Sequence, residues 1–74
     1  MSKLSPLKPE EVIRRLRTFG FVGPVAGGRH SRMIRSSTGQ IVPIPMHRGK
    51  DISVGLIHAI LREIDVTPEE WNDA

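Results

Sequence analysis

The spacing of apolar residues changes twice along this 74-residue chain, and this change constrains the fold more than any other feature. Apolar residues recur at helical spacing before Gly20 and again after Asp51. Between them lie three short runs typical of strands, too close together for the crossovers of a parallel sheet. The pattern predicts an α+β domain of order α-β-β-β-α, with a three-stranded antiparallel sheet and two helices on one face.

The helix ends are marked by residues with known positional preferences. Pro9 suits a first helical turn, and Glu10 and Glu11 complement the positive end of the helix dipole. Gly20 is a C-terminal stop. The apolar positions of the two helices are Val12, Ile13, Leu16 and Phe19, then Leu56 or Ile57, Ile60, Leu61 and Ile64.

The two ends of the chain are expected to differ in structure. Residues 1–8 are predicted to be a flexible N-terminus and residues 9–74 a single domain. Thr67 and Glu70 have the spacing of a capping box, which opens a final turn. Trp71 is expected to fold back onto the domain.

The strand candidates are separated by turn residues. They cover residues 21–26, weakened by Gly23 and Pro24, then residues 31–36 and 40–45. Gly27 and Gly28 form the first turn. Pro43 and Pro45 cannot donate to a ladder, so the third strand is either at an edge or ends there.

Charge is segregated along the sequence. Between Val12 and Lys50 there are eight basic residues and no carboxylate: Arg14, Arg15, Arg17, Arg29, Arg32, Arg35, Arg48 and Lys50. A potential of one sign attracts polyanions, which makes nucleic acid, and RNA in particular, the predicted partner. A solvated helix face is the alternative interpretation of the three arginines of the first helix, and it is the preferred one for Arg17. The five later basic residues are the predicted RNA-binding set.

Composition excludes several classes of function. The chain has no cysteine, which excludes disulfides and thiolate metal sites and fits a reducing cytoplasm. No apolar run approaches the roughly 20 residues that span a bilayer, and no secretory signal is visible. Clustered carboxylates are missing beside the histidines, so no metal and no cofactor is predicted. The three aromatic residues offer no platform for stacking bases, so RNA recognition would depend on phosphates and shape.

His30 is the candidate catalytic residue. RNA carries its own nucleophile, the 2′-hydroxyl, so an imidazole that moves a proton can promote cleavage. Arg29 and Arg32 flank His30 and would stabilise the phosphorane charge. The alternative is a histidine with no chemical role in a turn. His47 is a weaker second acid or base, and His58 is assigned no function.

Three segments resemble the HicA-type (YcfA-like) mRNA interferase toxins of bacterial type II toxin–antitoxin systems. The first segment, KPEEVIRRLRTFGFV, is similar to the family's opening helix. The second, Gly27-Gly28-Arg29-His30, is similar to its Gly-Ser-x-His segment. The third, IVPIPMHRGKDISVGLIHAIL, is similar to its Val-x-Val-Pro-x-His stretch and following helix. The sequence departs from the family at Gly28, where serine is usual, and at Pro43, a strand position that normally donates.

The resemblance implies a fold like that of double-stranded-RNA-binding domains and cleavage of mRNA by a single catalytic histidine, which is His30 here. It also implies that Gly27 and Gly28 shape the turn before His30 and that a cognate HicB antitoxin exists. Two other functions stay open from the residues alone. One is a non-catalytic RNA-binding module of the same fold, and the other is a protein-interaction domain whose basic face holds an acidic partner.

Overall fold

The computed structural model describes residues 3–27, 30–46 and 49–74 of the chain. Its elements in chain order are α1 (Pro9–Thr18), β1 (Phe21–Gly27), β2 (His30–Arg35), β3 (Ile41–Pro45), α2 (Val54–Ile64) and α3 (Pro68–Asn72). The predicted α-β-β-β-α order is confirmed, and the predicted final turn is a short third helix. Likeness to double-stranded-RNA-binding domains stays a prediction.

The predicted helix ends are confirmed by their hydrogen bonds. Phe19 caps the C-terminus of α1, and Gly20 follows with a φ of 90°, a conformation that glycine adopts easily. In α3 the Thr67 hydroxyl accepts from the Glu70 N–H at 3.1 Å, and the Glu70 carboxylate accepts from the Thr67 N–H at 3.0 Å. This reciprocal pair is the capping box that the sequence predicted.

The three strands form one antiparallel sheet in the order β1-β2-β3. His30 at the start of β2 lies between Gly27 on β1 and Pro45 on β3. The strand β3 is therefore an edge strand and continues through Pro43. Alternate residues of a strand direct their N–H groups to the same side, so Pro43 and Pro45 remove donors from the free edge and protect it from further pairing.

A bulge interrupts β1 at Gly23 and Pro24, which together lie opposite the single residue Met33. Gly23 has a φ of 127°, and a Cβ atom there would lie 2.9 Å from the backbone oxygen of Arg32. Only glycine fits this position without strain. The extra residue also reverses the face of the sheet to which the later side chains of β1 point. Val25 therefore lies opposite Arg32 rather than Ser31.

The helices cover one face of the sheet. The buried core is formed by Val12, Ile13, Leu16, Phe21, Met33, Val42, Ile44, Ile52, Ile57, Ile60, Leu61, Ile64 and Trp71. Trp71 is 1 % exposed and its ring stacks on that of Phe19, with ring centroids 6.2 Å apart, which confirms that it folds back onto the domain. The opposite face of the sheet, here called the outer face, is left without a helix.

An antiparallel backbone bridge connects the segments that precede the two long helices. Leu7, two residues before α1, pairs with Ile52, two residues before α2, through hydrogen bonds of 3.2 and 2.6 Å. The start of α1 therefore lies beside the segment that joins β3 to α2, and this segment begins one residue after Pro45, the cross-strand partner of His30. The domain limits and the flexibility of residues 1–8 stay predictions.

Candidate nucleic-acid interface

The outer face consists of three cross-strand rows, each with one residue from every strand. The rows are Val22–Ile34–Ile41, Val25–Arg32–Pro43 and Gly27–His30–Pro45. The first row is aliphatic, the second has a guanidinium at its centre, and the third has an imidazole. Polar chemistry is thus concentrated at one end of the face.

His30 is exposed, and its neighbours leave room around it. On one side the facing residue is Gly27, which has no side chain, and on the other it is Pro45. Arg32 is also exposed and stands two residues further along the same strand. Residues spaced by two lie on one face about 7 Å apart, so both side chains can reach a single phosphodiester.

The other predicted RNA-binding residues are distributed differently. Arg35 lies on the opposite face of β2 from His30, where its guanidinium carbon is 4.6 Å from the centre of the buried Phe21 ring. Lys50 is exposed in the segment between β3 and α2. Arg29, Arg48 and Gly28, and the second candidate histidine His47, lie outside the described residues. The structure thus brings Arg32 to His30 but does not bring Arg35 there.

The arginines of α1 are held by partners on the protein. Arg14 and Arg15 both donate to Glu11, at 2.7 and 2.8 Å, and these hydrogen bonds lower the pKa of Glu11 to about 2. Arg17 is exposed, yet its guanidinium donates to the backbone oxygen of Gly23 at 2.8 Å. It therefore braces the bulge of β1 instead of pointing freely into solvent. The basic stretch that is continuous in the sequence is divided among several surfaces.

An aliphatic patch on the outer face, which extends from the row of Arg32 away from His30, was missed by the sequence reasoning. Val22, Val25 and Ile41 are 53 %, 43 % and 50 % exposed, although they sit in strands. A Gly-Pro pair within a strand candidate is a signal for a bulge, and a bulge reverses the facing of the residues after it. The signal was present at Gly23, but only the register shows which residues it moves to the outer face.

Two findings concern metals and membranes. Across the described parts of the chain, no three His, Asp or Glu residues are grouped as ligands of a metal ion. No helix in residues 3–27, 30–46 and 49–74 has the length and apolar character needed to cross a bilayer. Independence from metal stays a prediction about the reaction.

Comparison with known proteins identifies the family. The model of the HicA toxins of bacterial toxin–antitoxin systems matches residues 9–66, from the first residue of α1 to the second residue after α2. A search of curated proteins found no match. The matched segment contains the whole sheet, His30 and both long helices, so it includes every element of the candidate site. The chain belongs to the HicA family of toxins of bacterial toxin–antitoxin systems.

Proposed function

We propose that this HicA-family toxin is a cytoplasmic, metal-independent endoribonuclease that cleaves mRNA with His30 as its general acid or base. The observation that carries the proposal is the pairing of an exposed imidazole with an exposed guanidinium on one open face. The glycine opposite His30 leaves space for a substrate backbone. Arg32 is the phosphate-binding neighbour within the described residues.

The reaction needs two proton transfers and no outside reagent. The ribose 2′-oxygen attacks the adjacent phosphorus and forms a new P–O bond, while the bond from phosphorus to the 5′-oxygen breaks. The 2′-hydroxyl loses a proton and the 5′-oxygen gains one, so the products are a 2′,3′-cyclic phosphate and a 5′-hydroxyl end. His30 accepts the first proton or donates the second, and water carries the other. Arg32 stabilises the charge that develops on the phosphoryl oxygens.

The remaining basic residues have a supporting role in this proposal. Lys50, Arg29 and Arg48 contribute phosphate contacts that hold the RNA strand near His30, because Arg29 precedes His30 in the sequence and the other two follow Pro45 by three and five residues. Arg35 is a weaker member of the set, since it lies on the other face of β2. Gly27, opposite His30, keeps the approach to the imidazole free of a side chain, and Gly28 stays a predicted turn-shaping residue.

The test is cleavage of a defined mRNA in excess EDTA by wild-type protein, His30→Ala and His58→Ala. His58 is a matched control, because it is exposed on α2, which covers the opposite face of the sheet. We expect wild type and His58→Ala to cut and His30→Ala to be slower by about 10²–10⁴-fold. Gel analysis of the fragments and detection of the cyclic phosphate end give the readout.

Other outcomes separate the competing functions. If neither wild type nor His30→Ala cuts and both bind RNA with an affinity that falls steeply with salt, the protein is a binding module. If RNA binding is negligible at low salt as well, a protein-interaction domain is the better description. Cleavage that disappears in EDTA would contradict the metal-independent mechanism.

Family membership implies an antitoxin partner. We infer that this partner is of the HicB type and covers the outer face. Val22, Val25 and Ile41 lack the aromatic faces on which bases stack, so their exposed area suits a protein surface better than RNA. Acidic side chains of the antitoxin pair with Arg32. A partner bound in this way also covers His30, which would block access of RNA.

A further inference from the structure

A groove lies between the start of α1 and the segment that follows β3. Its walls are residues 8–10 on one side and Met46 with residues 49–51 on the other, and its volume is about 490 Å³. This volume is within the roughly 300–1,000 Å³ of sites for small ligands. Met46 directly follows Pro45, the cross-strand partner of His30. The groove therefore begins one residue beyond the row that contains His30.

The groove combines charges of both signs with an apolar surface. Lys8 and Lys50 provide two ammonium groups, and Glu10 and Asp51 provide two carboxylates. The ion pairs found within the described residues leave these four side chains unused, since both involve Glu11. Met46 is 38 % exposed and gives the groove an apolar contact.

The backbone at the groove adds a donor for an anion. Lys8 caps α1 without a side-chain hydrogen bond, and the following Pro9 has no N–H. Glu11 and Val12 both donate to the Lys8 carbonyl, which leaves the Glu10 N–H as the amide available to a ligand. The positive end of α1 lies in the wall of this groove, at Pro9 and Glu10, and favours a phosphate.

We infer that this groove is a nucleotide subsite for the RNA residue next to the cleaved phosphodiester, an inference that rests on the proposed function. Lys8, Lys50 and the Glu10 N–H bind the phosphate, and the base lies against Met46. The carboxylates of Glu10 and Asp51 accept hydrogen bonds from the base edge. Guanine, cytosine and adenine carry amino hydrogens there, whereas uracil presents carbonyl oxygens and one N–H. The subsite therefore selects amino-bearing bases over uracil.

The test is an NMR titration of the full chain with the four 5′-mononucleotides, which contain no phosphodiester to cleave. We expect saturable shifts at the amides of Glu10, Gly49, Lys50 and Asp51, and weaker binding of uridine monophosphate by about fivefold. Because the readout is binding alone, it is independent of ribonuclease activity. Loss of the proposed cleavage reaction would leave these shifts unchanged.

Variants assign the contacts. Lys8→Ala and Lys50→Ala should each weaken binding of every nucleotide by roughly two- to fivefold, whereas Lys3→Ala, an exposed lysine outside the groove, should not. Glu10→Gln with Asp51→Asn should remove the discrimination against uracil, and Glu63→Gln should keep it. Equal affinity for all four nucleotides in wild type, or shifts centred on Arg32 instead of the groove, would overturn the inference.

Discussion

Glu11 illustrates how single residues in this protein acquire their charge behaviour from their partners. Its carboxylate accepts from Arg14 and Arg15, and the Arg15 guanidinium also lies 5.6 Å from the centre of the Trp71 ring and donates to the Trp71 carbonyl. Glu11 thereby holds the arginine that connects α1 to α3. Arginines that the sequence presents as part of an RNA-binding stretch act here within the fold.

The pH dependence of stability follows from this pairing. In the folded protein the pKa of Glu11 is lowered from 4.5 to about 2, so in that interval the unfolded chain binds more protons than the folded one. The contribution of Glu11 is therefore complete above about pH 4.5 and is lost as the pH falls towards 2. We expect Glu11→Gln to lower the urea midpoint at pH 7 and to differ less from wild type at pH 2.5.

The control for this prediction is Glu10→Gln, which removes a neighbouring carboxylate from the same helix turn that forms no ion pair within residues 3–27, 30–46 and 49–74. Its effect isolates the helix-dipole contribution. An equal loss of stability in both variants at pH 7 would contradict the special role of Glu11.

At the scale of elements, the bulge in β1 decides what the outer face presents. Gly23 supplies the φ of 127° that the bulge needs, and Arg17 from α1 holds its carbonyl at 2.8 Å. Without the extra residue Val25 would face the helices instead of lying beside Arg32. The local backbone of one strand thus sets the surroundings of the candidate site.

Gly23→Ala tests this role of the bulge. The new Cβ would meet the Arg32 backbone oxygen at 2.9 Å in a strained conformation, and we expect a loss of about 1–3 kcal/mol of unfolding free energy. Thermal unfolding measures this loss, because each kcal/mol lowers the Tm of a domain of this size by about 4–8 °C. Gly20→Ala is the matched control, since Gly20 also has a positive φ but no atom near its missing Cβ. Equal losses in the two variants would show that steric contact at Gly23 is unimportant.

At the scale of the whole molecule, one face of the sheet forms the core and the other forms the candidate binding surface. Helices bury one face and give the small domain its stability, which leaves the outer face for His30, Arg32 and an aliphatic surface. The start of α1 and the segment that follows β3 add the groove, which begins one residue beyond the row of His30. Binding of RNA and of the antitoxin is therefore expected at neighbouring or shared surfaces.

The antitoxin proposal predicts that the aliphatic patch matters more for the partner than for RNA. We expect Val22→Thr with Ile41→Thr to weaken the complex with the co-expressed HicB-type antitoxin by at least about tenfold, since about 1.4 kcal/mol of apolar contact is lost. Cleavage of RNA should be nearly unchanged, because His30 and Arg32 are kept. The substitutions preserve β-branched side chains and so leave the strands intact.

Val54→Thr is the control for this change, because Val54 is also exposed, at 36 %, but begins α2 and is separate from the outer face. Calorimetric titration of the purified partners compares the affinities. An antitoxin that binds the double variant as tightly as wild type would show that it docks elsewhere.

Much of the fold was predictable because its signals are local. Periodicity identified the helices, Gly20 and the Thr67 capping box marked their ends, and closely spaced runs indicated an antiparallel meander. The candidate site was only partly predictable. Arg32 and Arg35 look equivalent in the sequence, yet alternation along β2 places them on opposite faces. Their charge alone does not separate them, whereas the period-two alternation of a strand does once the strand is recognised.

The sequence by itself determined the order of elements, the apolar residues of the helices and the candidate role of His30, since each depends on neighbours within a few positions. Only the tertiary structure decided which basic side chains stand beside His30, which aliphatic residues are exposed and where the groove lies. These features depend on strand register, on the bulge at Gly23 and on the pairing of Leu7 with Ile52. Contacts between residues far apart in the chain are selected by packing of the whole domain, which no local pattern encodes.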